Sequence, residues 1–100
     1  MTVALLSGLQ IADTPTTLYT AATQGVIVSA ILMNPTPAAT TVTVLIAHAG
    51  GGSTPIVTGL PLLAHQAHVA TEIMGRTLAV GDAVMAMAGG SVIATLAIST

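Results

Sequence analysis

Apolar and polar side chains alternate with a period of two through most of the chain. In TTVTVLIAH, residues 40–48, Val42, Val44, Ile46 and His48 fall on one side and Thr41, Thr43, Leu45 and Ala47 on the other. That period, with β-branched residues dominating, predicts a strand. GVIVSAILMN (25–34) predicts a second, ending at Asn34-Pro35-Thr36-Pro37, which cannot continue a central strand. QAHVATEI (66–73) sets Ala67, Val69, Thr71 and Ile73 against Gln66, His68, Ala70 and Glu72. Turn signals recur at Asp13-Thr14-Pro15, Thr23-Gln24-Gly25, Gly50-Gly51-Gly52-Ser53, Gly59, Met74-Gly75-Arg76, Gly81-Asp82 and Gly89-Gly90. They delimit strands at 3–10, 17–21, 25–33, 40–48, 55–58, 66–73, 77–79, 82–88 and 91–98. The Ala-rich segment 60–72, LPLLAHQAHVATE, also admits an initial helical turn.

Short strands punctuated in this way predict an all-β fold: a single antiparallel β-sandwich, jelly-roll or immunoglobulin-like, of about eight short strands. Its 100 residues suit one domain, 1–100. Residues 1–14 form a candidate N-terminal arm, because TVALLSGLQIA is apolar up to the break at Asp13 and is suited to adding a strand to a neighbour. This start lacks the basic residues of a signal peptide and is read as retained. AGGGST (49–54) reads as a hairpin tip or flexible loop.

LAVGDAVMAMAGGSVIATLAI, residues 78–98, poses the sharpest choice. It is long enough for a membrane helix, which needs about 20 apolar residues. Gly81-Asp82 and Gly89-Gly90-Ser91 break it into strand-length pieces, and no basic flank or aromatic belt accompanies it. The expected structure is a hairpin, 82–88 turning at Gly89-Gly90 into 91–98. Val84, Ala86 and Ala88 lie opposite Ala83, Met85 and Met87; Val92, Ala94, Leu96 and Ile98 alternate with Ser91, Ile93, Thr95 and Ala97. Neither face is charged. One fills a core, and the other is expected to be covered by another subunit or a larger assembly. The candidate interface residues are Val3, Leu5, Leu6 and Leu9 of the arm, with Met85, Met87, Ile93 and Thr95.

Composition sharpens this expectation. Charged residues are 4% of the chain, namely Asp13, Glu72, Arg76 and Asp82, against about 25% in ordinary globular domains. A single basic residue argues against nucleic-acid binding, which relies on clustered Lys and Arg. The absence of Cys excludes disulfides and thiolate metal sites. Tyr19 is the one aromatic residue, so stacking platforms for sugars or bases are missing.

A metal site would draw on His48, His65, His68, Asp13, Glu72 and Asp82, but no zinc-type spacing occurs. His65 and His68 meet only on a helical turn and diverge on a strand; a His cluster about an oligomer axis is the form of that idea still open. Asp13 and Asp82 read as turn residues whose carboxylates bond local backbone. Glu72 and Arg76 read as a surface ion pair or turn contact. No nucleophile elbow or phosphate loop is present in the sequence. The expectation is a protein that is not an enzyme, without cofactor or metal.

TTLYTAATQGVIVSAILMNPTPAATTVTVLIA (16–47) resembles the opening of small β-sandwich structural proteins of tailed-bacteriophage virions, in which an LYT-A strand leads through a glycine turn into a buried strand ending at Asn. LPLLAHQAHVATEIMGRTLAVGDAVMAMA (60–88) fits the same pattern through its L-x-x-G-D-x-V strand start. The resemblance extends over about 16–98. Leu18 and Tyr19 match the strand start, Asn34 the strand end, Gly81 and Asp82 the late turn. It implies structural rather than catalytic roles for them, and an assembly function: a capsid decoration or cement protein on the virion surface, a homotrimer contacting the major capsid protein. A tail or baseplate component is the alternative, and a small membrane-inserting phage protein the alternative of another class. The chain departs from those relatives in carrying fewer charges.

Overall fold

The computed structural model describes residues 3–100. Strands form at β1 (Val3–Ile11), β2 (Thr16–Thr20), β3 (Gly25–Met33), β4 (Thr40–Ala47), β5 (Ser53–Leu62), β6 (Ala67–Val69), β7 (Thr77–Leu78), β8 (Ala83–Ala88) and β9 (Val92–Ser99). The pairings nest around one apex. The β4–β5 hairpin turns through the glycine loop at 49–52; outside it β3 pairs with β6 and β7, then β2 with β8, then β1 with β9. The chain is thus one long folded ribbon. Rolling it up adds the β4–β8 and β3–β9 pairings and closes two antiparallel sheets, ordered β1-β9-β3-β6 and β2-β8-β4-β5. β6 and β7 lie against opposite ends of β3 and share one strand position. This is the eight-position jelly roll, the first of the two architectures expected.

The inner faces supply the core. Ile27, Ala30 and Leu32 of β3, Val42, Val44 and Ile46 of β4, Val84 and Ala86 of β8, and Ala94, Leu96 and Ile98 of β9 are all buried. Alanines interleave with branched side chains, so the sheets interdigitate without any Phe or Trp. Each fully buried Val, Leu or Ile contributes about 1.5–3 kcal/mol relative to exposure. Of the resemblance positions, Leu18 is buried, Tyr19 packs against the core, and Asn34 is buried at the end of β3.

Several local expectations are corrected. Residues 82–88 and 91–98 do not pair as a hairpin. β8 lies between β2 and β4 in one sheet, and β9 lies between β1 and β3 in the other. The Gly89-Gly90-Ser91 link is an arch that carries the chain across the core, so the faces of Ala88 and Val92 both point inward. Neither Gly89 nor Gly90 has the positive φ that a two-residue hairpin demands.

The predicted strand 66–73 stops at Val69. The Ala70 amide bonds the Ala30 carbonyl at 2.8 Å, and residues 71–75 then turn. Val69 is therefore exposed while Ile73 is buried, although a continuous strand would place them together. No helical turn starts at 60: Leu60–Leu62 end β5, which continues through Pro55, Gly59 and Pro61 as an edge strand. His48 falls just past β4 and is exposed rather than sharing the core with Ile46. Residues 3–11 of the candidate arm form β1 and pair with β9 of the same chain; residues 1 and 2 lie outside the described residues.

Candidate interaction surface

All four charged side chains lie outside the strands. Asp13 is in the β1–β2 turn, Glu72 and Arg76 lie between β6 and β7, and Asp82 precedes β8. Both outer faces of the sandwich are therefore built without Asp, Glu, Lys or Arg.

The β1-β9-β3-β6 face is the more apolar and the more exposed. Its cross-strand rows set Leu5 beside Ala97, Thr95 beside Ile31 and Ile31 beside Val69, and Ile93 beside Met33. Val3, Leu5, Val28, Ile31, Met33 and Val69, all on its strands, are exposed large hydrophobics. Such side chains occur singly on any surface, but a neutral row spanning four adjacent strands has the character of an interaction patch.

The predicted interface residues divide between faces. Val3, Leu5, Ile93 and Thr95 stand on this outer surface. Leu6 and Leu9 pack against the core instead. The register of β1 against β9 shifts between Leu6 and Leu9. That bulge, with Gly8 at φ 68°, returns the strand to the inward phase at Leu9. Met85 and Met87 lie on the opposite outer face, half-buried beside Leu45 and Thr43. The sequence reading missed Val28, Ile31, Met33 and Val69. Their signal was the equally apolar second face of 25–33, which reads as a strand buried on both sides.

Polar groups serve the loops. Asp82 is nearly buried, at 8% exposure. Its carboxylate accepts the Ala49 and Ala79 amides at 3.2 and 3.1 Å, and these bonds hold its pKa below the ordinary aspartate value. The same carboxylate lies 3.7 Å from His48 Nδ1, and His48 Nε2 is 2.6 Å from the Thr54 hydroxyl. The cluster fastens the hairpin apex to the turn before β8. In the β1–β2 turn the side-chain hydrogen bonds expected of Asp13 are made by Thr16, which accepts from the Ala12 amide and donates to the Thr14 carbonyl. Arg76 Nε meets the Glu72 carbonyl at 3.5 Å, the turn contact rather than an ion pair. The Glu72 carboxylate instead lies 3.3 Å from His68 Nε2. Its pKa is lowered, mainly by its own backbone amide and further by His68.

The three histidines are not brought together: His48 is at the hairpin apex, His65 in the β5–β6 turn and His68 on β6. Among the described residues no group of three or more His, Asp or Glu is placed to hold a metal ion. Among them, too, no helix is long and apolar enough to cross a membrane. Shallow grooves beside Asp13, Ala88 and Gly89 follow the arch between β8 and β9.

These features define an antiparallel jelly-roll sandwich with two uncharged outer faces. No family model matches the chain, and no curated protein matches it. Among solved structures it is similar to a chain of the structure of infectious bursal disease virus Gx strain, with a TM-score of 0.47 and 13% identity. The match covers 98% of this chain and 32% of that one, so the chain spans about a third of its length.

Proposed function

We propose that this protein is a non-enzymatic structural subunit of a virus particle, working by burial of its neutral β1-β9-β3-β6 face against neighbouring subunits. The carrying observation is the displacement of every charged side chain into turns, leaving Val3, Leu5, Ile31, Met33 and Val69 exposed on one uncharged face. A solitary molecule in water gains nothing from such a surface and risks aggregation. Stable protein interfaces bury about 1,200–2,000 Å² in total.

Jelly rolls serve as viral capsid and lectin domains and as metal-binding cupins. The one aromatic, Tyr19, packs against the core, which weighs against a sugar platform. The scattered histidines weigh against a cupin-type centre.

The finer reading follows the sequence resemblance: a decoration or cement protein on the capsid surface of a tailed bacteriophage, assembling as a homotrimer on the major capsid protein. Quantitative mass spectrometry of purified particles that encode this chain tests it. Decoration requires a copy number commensurate with the shell subunits. A handful of copies assigns the chain to the tail instead, and absence from the particle rejects the virion role.

A further inference from the structure

The two sheets present four edges, and three of them are blunted. β5 carries Pro55 and Pro61, which cannot donate a backbone hydrogen bond to an added strand. β2 has five residues directly after Pro15, and the remaining edge is divided between β6, of three residues, and β7, of two. β1 differs. It has nine residues, no proline and no charge, and among the described residues it pairs only with β9, so one side of its backbone is open. Natural edges of that length normally carry a lysine, a proline, a bulge or a covering element; β1 has only the bulge after Leu6, and Val3 to Ser7 before it stay regular and open.

We propose that β1 pairs antiparallel with β1 of a second copy, joining two sheets into one across a twofold axis at Leu5. The contact rests on the self-association in the functional reading above, not on its viral destination or on the threefold order given there, which a twofold edge contact does not produce. Three observations select a second copy as the occupant and Leu5 as the centre.

First, β1 is neutral, so the strand meets its own image without like-charge repulsion. The nearest charged side chain, Asp13, lies two residues beyond Ile11 and falls at opposite ends of such a pair. Second, the bulge after Leu6 ends the regular part of the strand, leaving Val3 to Ser7, whose midpoint is Leu5. Pairing about that point sets Leu5 beside Leu5, Val3 beside Ser7 and Ala4 beside Leu6. Third, among the described residues Leu5 is the most exposed large hydrophobic side chain, at 71%, and Val3 follows within β1 at 56%. Self-pairing shields both from water. An isologous contact of this kind closes on itself and stops at two copies, which an open edge otherwise does not.

The chain has no cysteine, so a single introduced thiol reports one contact. Directly opposed residues of antiparallel strands have Cα atoms about 4.5–5.5 Å apart, within disulfide range. Mild oxidation of purified Leu5→Cys is expected to give a covalent dimer in high yield. Val80→Cys, at a position 62% exposed in the turn before β8, is the collision control and is expected to remain uncrosslinked. Leu5→Lys opposes two ammonium groups at the axis and is expected to weaken dimerisation at least tenfold by sedimentation velocity, with an unchanged β-type circular dichroism spectrum.

Crosslinking of both cysteine variants alike, or of neither, overturns the edge contact. If the unmodified chain still self-associates and Leu5→Lys leaves that association intact, the edge contact fails while the functional reading stands. A chain that is monomeric at every concentration overturns both the edge contact and its self-association premise.

Discussion

The Asp82 carboxylate accepts the Ala49 amide, 33 positions earlier in the chain, and pins the hairpin apex to the turn before β8. Gly81, its neighbour, approaches so closely that a Cβ placed there would lie 2.7 Å from the Ala49 Cβ. The rolled ribbon is thus fastened at its apex by one carboxylate and one missing side chain.

Stability is expected to fall at acid pH through Asp82. Its folded-state pKa is depressed, chiefly by the Ala49 amide and then by the Ala79 amide. The stabilisation is complete above the unfolded pKa of about 3.9 and is lost as pH falls through the lower folded value. Asp82→Asn removes the charge and should be less stable than the parent at pH 7. The gap between their urea midpoints should narrow toward pH 2. A gap independent of pH contradicts the assignment.

Gly81→Ala should destabilise for two separable reasons. Its φ of +89° is unfavourable for a side chain, and the new methyl collides with Ala49. Residues held in such backbone regions cost about 1–3 kcal/mol. Adding Ala49→Gly should restore only the collision part. Full recovery in thermal unfolding of the double variant shows that the backbone contributes nothing.

Asn34 should be intolerant of a carboxylate. Its Nδ2 donates to the Ala38 and Leu63 carbonyls at 2.7 and 3.1 Å, and its Oδ1 accepts from the Thr36 amide and hydroxyl at 3.1 and 2.7 Å. Asn34→Ala removes four part-buried hydrogen bonds of a fully buried side chain, each worth about 0.5–1.5 kcal/mol. Asn34→Asp adds repulsion between its carboxylate and those carbonyls. It should be the worse variant at pH 7 and improve on acidification. Guanidinium denaturation at two pH values decides; equal losses for the two variants at pH 7 refute the donor role.

Strand positions were legible in the sequence because period-two patterning is local. Gly25–Met33 begins and ends where Gly25 and Asn34-Pro35 predict. Pairing was less legible. β8 and β9 are apolar on both faces, so their pattern is compatible with a hairpin or an arch. What decides is competition from β2, β4, β1 and β3 for the same edges, and that is a property of the whole ribbon. The same limit applies to Leu9: a one-residue bulge at Ser7-Gly8 reverses its face, and only the register against β9 reveals the bulge. β5 was read too short because Pro55 and Pro61 look like breakers, yet an edge strand accommodates both.

The two outer faces should respond differently to an added charge. Ile31 and Met33 are 37% and 41% exposed on the β1-β9-β3-β6 face, so a lysine at either position keeps its ammonium in water in the isolated chain. Met85 is half-buried among Leu45 and Thr17 on the other face, where a lysine displaces existing packing. Ile31→Lys is therefore expected to fold with nearly parental stability. Its association with other subunits should weaken more than tenfold, because burying an unpaired ammonium against apolar neighbours costs more than the 1.4 kcal/mol that a factor of ten represents. Met85→Lys should show the reverse, with lower stability and little change in association. Thermal unfolding and sedimentation velocity on both variants separate these outcomes. If Ile31→Lys assembles as tightly as the parent while Met85→Lys does not, the working surface is the β2-β8-β4-β5 face.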